Sequence, residues 1–233
     1  MQRRVSDPPL LLPLRKIMIH PCPLCFNGST SSYRVVEGRE YFLCPDCDLI
    51  FIHPTLLPGP QEEFERYETH QNDPTDPGYI AFLSQLVRPM LGFLSPGAEG
   101  MDFGSGPVPA IGHLLKEARY EVASYDIFYA DDPEVLNRSY DFVTASEVAE
   151  HLHSARPTLD RIWSCLRPGG IFGVMTGVRP RDIDFADWYY IRDPTHVIFF
   201  SERTMEWLSD HWKARIIYKK NNVTIYRKAQ HTS

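Results

Sequence analysis

The first part of the chain contains short segments in which apolar and polar residues alternate. Residues 33–36 and 39–43 follow this pattern on either side of Glu37 and Gly38, which predicts a β-hairpin. Residues 49–52 predict one further strand, and several prolines follow it. Apolar residues at helical spacing over residues 79–94 then predict a helix.

Beyond this helix the pattern changes to strands and helices in alternation, which predicts a parallel α/β sheet. Only about a dozen residues separate Asp126 from Tyr140, too few for a complete helix–strand–helix unit, so we expect a reduced sheet. Asn221 and Asn222 predict the turn of a closing hairpin. The predicted strands of this part are residues 101–103, 120–125, 140–146, 171–176, 214–219 and 223–227.

These patterns divide the chain into four segments. We expect a disordered leader over residues 1–18, a small module over 19–57, a connector with a leading helix over 58–96, and the α/β domain over 97–233.

Composition narrows the functional classes. The 233 residues carry a formal net charge of −6, which disfavours a general nucleic-acid-binding protein without excluding a local basic patch. No apolar stretch reaches the roughly 18 residues that a membrane span needs. The five cysteines do not suggest a secreted disulfide framework, and we expect a cytoplasmic protein.

Four of the cysteines form two Cys-x-x-Cys pairs with 18 residues between them, which is the spacing of a structural zinc site. Four thiolates leave no open coordination position, so this metal should be structural and not catalytic. A redox dithiol is the alternative, but two matched pairs favour zinc. The predicted ligands are Cys22, Cys25, Cys44 and Cys47.

A glycine-rich turn follows the first strand of the α/β domain. Gly104 and Gly106 let the backbone turn sharply and approach a ligand closely. Asp126 ends the next strand, where a carboxylate accepts hydrogen bonds from ribose hydroxyls. Two adenosine cofactors fit, S-adenosylmethionine (SAM) and NAD. Asp102 before the glycines, and Pro109 where a dinucleotide site would have glycine, favour SAM.

With the Tyr140-Asp141 strand start and a Leu-Arg-Pro-Gly-Gly turn at residues 166–170, this pattern resembles the class I SAM-dependent methyltransferases. The resemblance implies a Rossmann-like methyltransferase domain with a reduced, mostly parallel sheet, preceded by a small zinc ribbon. Val108 stands where the family often has a third glycine. The resemblance further implies that Asp102, Gly104 and Gly106 hold the methionine part of SAM, that Asp126 holds its ribose, and that Ser146 and Glu147 lie beside cofactor and acceptor.

A Glu-x-x-Glu-His run follows the strand 140–146. Offsets of three and four residues predict that Glu147, Glu150 and His151 share one helical face. Two carboxylates and an imidazole suit a hard divalent cation such as Mg²⁺ or Mn²⁺. His196 lies in a later loop that reaches the same edge of the sheet. The alternative is a solvated helix start with a structural histidine.

This set resembles the metal-dependent O-methyltransferases of ubiquinone biosynthesis and the small-RNA 2′-O-methyltransferases. The resemblance implies that the cation holds the acceptor hydroxyl and lowers its pKa, or that His151 or His196 acts as general base. In the loop before His196, Trp188 and Tyr189 either wall an acceptor pocket or belong to the core.

Three functions remain open from sequence. The favoured one is SAM-dependent O-methylation of a small-molecule hydroxyl, either with or without the assistance of a divalent metal. The second is methylation of RNA gripped by the zinc module, for which Arg34 and Arg39 offer few phosphate contacts. The third is a non-enzymatic zinc protein on a decayed methyltransferase fold. In any of them the zinc module could also dock another protein.

Overall fold

The computed structural model describes residues 20–69 and 72–230, and the predicted leader over residues 1–18 lies outside the described residues. The strands are β1 (Ser31–Val36), β2 (Arg39–Leu43), β3 (Ile50–Ile52), β4 (Glu99–Phe103), β5 (Glu121–Tyr125), β6 (Tyr140–Ser146), β7 (Leu166–Met175), β8 (Ile198–Phe199), β9 (Arg215–Lys220) and β10 (Val223–Arg227). The α-helices are α1 (Pro60–Tyr67), α2 (Pro77–Leu91), α3 (Ala110–Glu117), α4 (Pro133–Leu136), α5 (Ala155–Ser164) and α6 (Glu202–His211).

The larger sheet has the strand order β5-β4-β6-β7-β10-β9. Its first four strands are parallel, and β10 pairs antiparallel with both β7 and β9. This confirms the Rossmann-like, mostly parallel sheet and the closing hairpin. Between β5 and β6 the chain forms only an isolated bridge and the four-residue helix α4, as the short spacing predicted.

Helix α2 covers one face of this sheet because its apolar residues recur at helical spacing. Leu83, Leu86, Val87 and Met90 are buried on the side that faces the sheet. A Cβ atom on Gly173 in β7 would lie 2.4 Å from the Met90 sulfur, so this glycine lets the helix approach closely. Burial of these side chains drives the packing.

The smaller sheet combines the cysteine-rich segment with the α/β domain. Its order is β1-β2-β3-β8, and β3 pairs antiparallel with β8, which follows His196 in sequence. Tyr41 of β2 packs edge-on against Phe185 and Phe199 of the α/β domain. The two parts therefore share one hydrophobic core.

The turn predicted at residues 166–170 is wrong, because these residues form the first half of β7. Gly169 donates to the Ala229 carbonyl and Lys228 donates to the Gly170 carbonyl, so this half of the strand is bonded to the residues that follow β10. A register shift against β6 and a φ of 79° at Gly169 absorb the irregular backbone.

Membrane-spanning helices are not found: within residues 20–69 and 72–230, each helix is too short or too polar to cross a bilayer.

Candidate active site

The glycine turn lies where β4 ends, between the carboxyl ends of β5 and β6. Gly104 and Gly106 have φ angles of 73° and 65°, in the region that favours glycine. A Cβ atom on Gly104 would lie 2.3 Å from a methyl carbon of Val148, so a side chain does not fit. The Gly104 amide donates to the Tyr125 carbonyl at 2.8 Å, which fixes the turn against β5.

Asp126 joins this turn to the end of β5. Its Oδ2 accepts a hydrogen bond from the Gly106 amide at 2.8 Å. Its Oδ1 accepts from the amides of Phe128 and Tyr129 at 2.9 and 3.2 Å. These bonds hold the carboxylate at the cavity wall, and a carboxylate retains further lone pairs for ligand hydroxyls.

Asp102 lies on β4 below the glycine turn and is 3% exposed. Thr144 of the neighbouring strand donates to its Oδ1 at 2.7 Å. Burial raises the pKa of Asp102 to about 7, because charge is disfavoured away from water.

One cavity of about 1130 Å³ connects most of the predicted site residues. Single ligands occupy pockets of roughly 300–1,000 Å³, so this cavity has room for a cofactor and an acceptor together. Two residues on its wall, Ser146 and Glu147, each have a buried oxygen, Oγ and Oε1, with no hydrogen-bond partner among the described residues. Predicted residues on its wall are Asp102, Gly104, Gly106, Asp126, Ser146, Glu147, His151 and His196.

The single helical face predicted for Glu147, Glu150 and His151 is wrong. The Glu147 amide donates to the Met175 carbonyl at 2.7 Å, which extends the pairing of β6 with β7. Glu147 has a positive φ of 52°, and only a short 3₁₀ helix, Ala149–His151, follows.

The two carboxylates meet instead at the hydroxyl of Tyr190. This hydroxyl lies 3.3 Å from Glu147 Oε2 and also donates to Glu150 Oε1. Thr176 donates to Glu150 Oε2 at 2.7 Å, and Glu150 is fully buried. Burial and the neighbouring charge of Glu150 raise the pKa of Glu147.

The two predicted histidines lie side by side, with ring centroids 4.8 Å apart. His151 Nδ1 is 3.0 Å from the Thr195 carbonyl, and His196 Nδ1 is 2.7 Å from the Tyr190 carbonyl. A neutral ring that donates from Nδ1 carries its lone pair on Nε2, as metal-binding histidines do. Burial lowers the pKa of His196, which favours this neutral form.

Three of the predicted residues are placed to hold a cation. One ligand atom each from Glu150, His151 and His196 lies within 4.8 Å of the others. Carboxylate oxygen and imidazole nitrogen suit a divalent metal. Glu147 is not part of this trio, although its carboxylate contacts the same Tyr190 hydroxyl as Glu150.

The four cysteines converge as their spacing predicted. The Sγ atoms of Cys22 and Cys47 are 3.5 Å apart, and those of Cys25 and Cys44 are 3.3 Å apart. Four thiolates around one zinc at about 2.3 Å would have similar separations. Phe26 and Asp48 have matching positive φ angles just after each pair, so the two turns are alike. The cluster fits a small zinc ribbon.

Sequence reasoning missed several side chains that shape the site. Tyr190 and Thr176 bind the carboxylates, and the Tyr67 ring packs edge-on against His151 at 5.3 Å. Trp188 is 4% exposed and belongs to the core, whereas its exposed neighbour Tyr189 lines the cavity. The run of aromatic residues at 185–190 is the sequence feature that could have identified Tyr190 as a site residue.

Known proteins resemble this chain in sequence and in fold. The sequence model of a family described as "Methyltransferase domain" matches residues 76–212. Curated proteins gave no significant sequence match.

Solved structures show the same fold at low identity. A Burkholderia thailandensis 1,6-didemethyltoxoflavin-N1-methyltransferase, bound to 1,6-didemethyltoxoflavin and S-adenosylhomocysteine, is 15% identical with a TM-score of 0.53 over 86% of this chain and 100% of that chain. A SAM-dependent methyltransferase from Archaeoglobus fulgidus is 16% identical with a TM-score of 0.51 over 64% of this chain and 94% of that chain.

Proposed function

The chain belongs to the SAM-dependent methyltransferases, and from this premise we propose that it methylates a hydroxyl of a small-molecule acceptor with the help of a divalent cation. One observation carries the proposal: Glu150, His151 and His196 converge beside the cavity that the glycine turn lines. Family membership favours an enzyme over a non-enzymatic zinc protein.

The cofactor side of the cavity fits SAM. Asp126 would accept hydrogen bonds from the ribose hydroxyls, and Asp102 with the two glycines would hold the methionine part. Ser146 also lines this wall, and its Oγ has no hydrogen-bond partner among the described residues. The hydrogen bond from the Gly106 amide to Asp126 joins the two parts of this wall.

The acceptor side carries the chemistry. When bound, SAM supplies an electrophilic methyl group and a divalent cation lowers the pKa of a hydroxyl that it ligates. Glu150, His151 and His196 would hold the cation, and the carbonyls of Thr195 and Tyr190 orient the two rings. Glu147 lines the cavity, has no hydrogen-bond partner at Oε1 among the described residues, and would take the proton of the acceptor hydroxyl.

The arginines of the zinc module support a small molecule over RNA. Arg34 pairs with Asp184 at 2.6 Å, and Arg39 donates to backbone carbonyls of the loop before β8. Both arginines are bonded to other residues of the same chain, so neither guanidinium is held in place to bind an RNA phosphate. The alternative, an RNA methyltransferase, predicts RNA binding whose affinity falls steeply as the salt concentration rises.

The test uses SAM with a radiolabelled methyl group and a mixture of phenols, catechols and sugar nucleotides. We expect the label on an oxygen of the acceptor. The rate of methyl transfer should fall by at least about 100-fold in Glu150→Gln, because the glutamine amide lacks the charge that binds a cation. Glu63→Gln is the matched control, since Glu63 also lines the cavity but pairs with His153.

The same assay is repeated after chelation and after added Mg²⁺ or Mn²⁺. Zinc is measured in every sample, so that loss of metal from the cysteine cluster is not mistaken for loss of the second cation. Full activity in the chelated, zinc-retaining protein would exclude the metal, and label found only on nitrogen or carbon would exclude the O-methylation.

A further inference from the structure

The segment that carries His196 is held by the zinc module. Arg39, at the start of β2, donates from Nη2 to the carbonyls of Pro194 and His196 at 3.1 and 3.2 Å. The Ile52 amide at the end of β3 donates to the Val197 carbonyl at 3.0 Å. Three hydrogen bonds therefore run from the module to three carbonyls within residues 194–197.

The same segment is bonded to the other candidate metal ligands. The Val197 amide donates to the Glu150 carbonyl at 2.9 Å. The Thr195 carbonyl lies 3.0 Å from Nδ1 of His151. One short stretch of backbone thus carries His196 and is bonded to the module, to Glu150 and to His151.

From these contacts we propose that the zinc module is a positioning element for the Glu150–His151–His196 trio, and that Arg39 is its positioning residue. The part that concerns metal binding rests on the function proposed above. Arg39 suits this role because a guanidinium group is a rigid, planar donor that can serve two carbonyl oxygens at once. Contact of its guanidinium with the Tyr41 ring, 5.7 Å from the ring centre, steadies the side chain.

The cofactor wall is independent of this linkage. Gly104 bonds to Tyr125, Gly106 bonds to Asp126, and Asp102 bonds to Thr144, all within the larger sheet and its loops. Loss of Arg39 should therefore separate two properties: metal binding weakens while SAM binding stays.

The test compares Arg39→Ala with Arg34→Ala in the full, zinc-loaded chain. Arg34 also joins the module to the α/β domain, through Asp184, but does not touch the segment around His196. Arg39→Lys is the conservative variant, which retains a donor. Zinc content, the Kd for SAM and the Kd for Mn²⁺ are measured in each protein, the last by electron paramagnetic resonance of free Mn²⁺.

We expect Arg39→Ala to weaken Mn²⁺ binding by about tenfold, because residues that orient metal ligands typically contribute 10- to 100-fold to affinity. Zinc content and the Kd for SAM should be unchanged, Arg34→Ala should match the wild type, and Arg39→Lys should recover part of the loss. Equal Mn²⁺ affinity in Arg39→Ala and the wild type would overturn the proposal.

Amide hydrogen exchange of a peptide covering residues 190–200 tests the positioning without any metal. Exchange should be faster in Arg39→Ala than in Arg34→Ala, since the Val197 and His196 amides lie in the released segment. Identical exchange in the two variants would overturn the role of Arg39. Faster exchange, in a wild type that binds no Mn²⁺, would retain the positioning role and reject the proposed metal function.

Discussion

Two clusters among the residues that the structure describes could hold a metal, and they differ in ligand type, ligand number and access to the cavity. The cysteine cluster gathers four soft ligands from residues 22–47, all buried or half-buried. The second cluster gathers a carboxylate and two imidazoles, and His151 and His196 reach the wall of a large cavity. Four protein ligands close a metal site, whereas three leave room for a substrate.

The two clusters should also have different roles, the first in the stability of the fold and the second in the reaction. The cysteine turns adjoin the strands of the smaller sheet, which shares the hydrophobic core through β3 and β8, so the first cluster should matter for folding. The second cluster has hydrogen bonds that do not need a cation, including those from Thr176 and Tyr190 to Glu150. It should therefore stay folded without metal.

The largest effect is expected from Cys44→Ser/Cys47→Ser. Removing two of four thiolates should abolish stable zinc binding, and a loss of about 4 kcal/mol would lower Tm by roughly 10 °C. Differential scanning fluorimetry and zinc analysis measure both. Cys165→Ser is the control, because this cysteine lies outside the cluster. An unchanged Tm together with full loss of zinc would show that the shared core alone supports the module.

The opposite pattern is expected from His196→Asn. Mn²⁺ affinity should fall by at least about 100-fold, since residues that only orient ligands already contribute 10- to 100-fold, while Tm should move by only about 3 °C. His113→Asn, on the exposed face of α3, is the control. If Tm falls as far as in the cysteine variant, the two clusters do not divide stability from chemistry as proposed.

Sequence patterns predicted these two clusters unequally well. The spacing within each Cys-x-x-Cys pair predicts its geometry, because two ligands three residues apart share one tight turn. The order of strands and the missing unit before β6 also followed from spacing and periodicity. Glu147 shows the limit: its backbone is set by a bond to Met175 on the neighbouring strand, which helical periodicity does not reveal. Arg39 depends likewise on a contact across more than 150 residues.

A smaller effect is expected at the cofactor wall, which belongs to neither cluster. Asp126→Asn should weaken SAM binding by about 10- to 100-fold, because a hydrogen bond to a charged group contributes about 1.5–3 kcal/mol. Isothermal titration measures the Kd, and Asp131→Asn is the control, since that exposed carboxylate lies five residues further on and outside the cavity. Zinc content should be unchanged in both. Equal affinities would remove Asp126 from the site.

The smallest effect expected on SAM binding is a pH dependence that arises at Asp102. Burial raises the pKa of this carboxyl to about 7 in the folded protein, above the value of about 3.9 in an unfolded chain. The folded state therefore binds the proton more tightly. Its contribution to stability is fully present below pH 4 and is lost as the pH rises to about 7.

Binding of SAM should have the opposite pH dependence, because the positive charges of its sulfonium and ammonium groups favour the ionised carboxylate. If binding requires that form, affinity rises about tenfold from pH 6 to pH 8, over which the ionised fraction of a group with a pKa near 7 changes by that factor. Asp102→Asn should bind SAM more weakly and lose this slope. If the affinity of the variant still rises with pH, the pH dependence belongs to another group. Metal binding by the two clusters should be unchanged in Asp102→Asn.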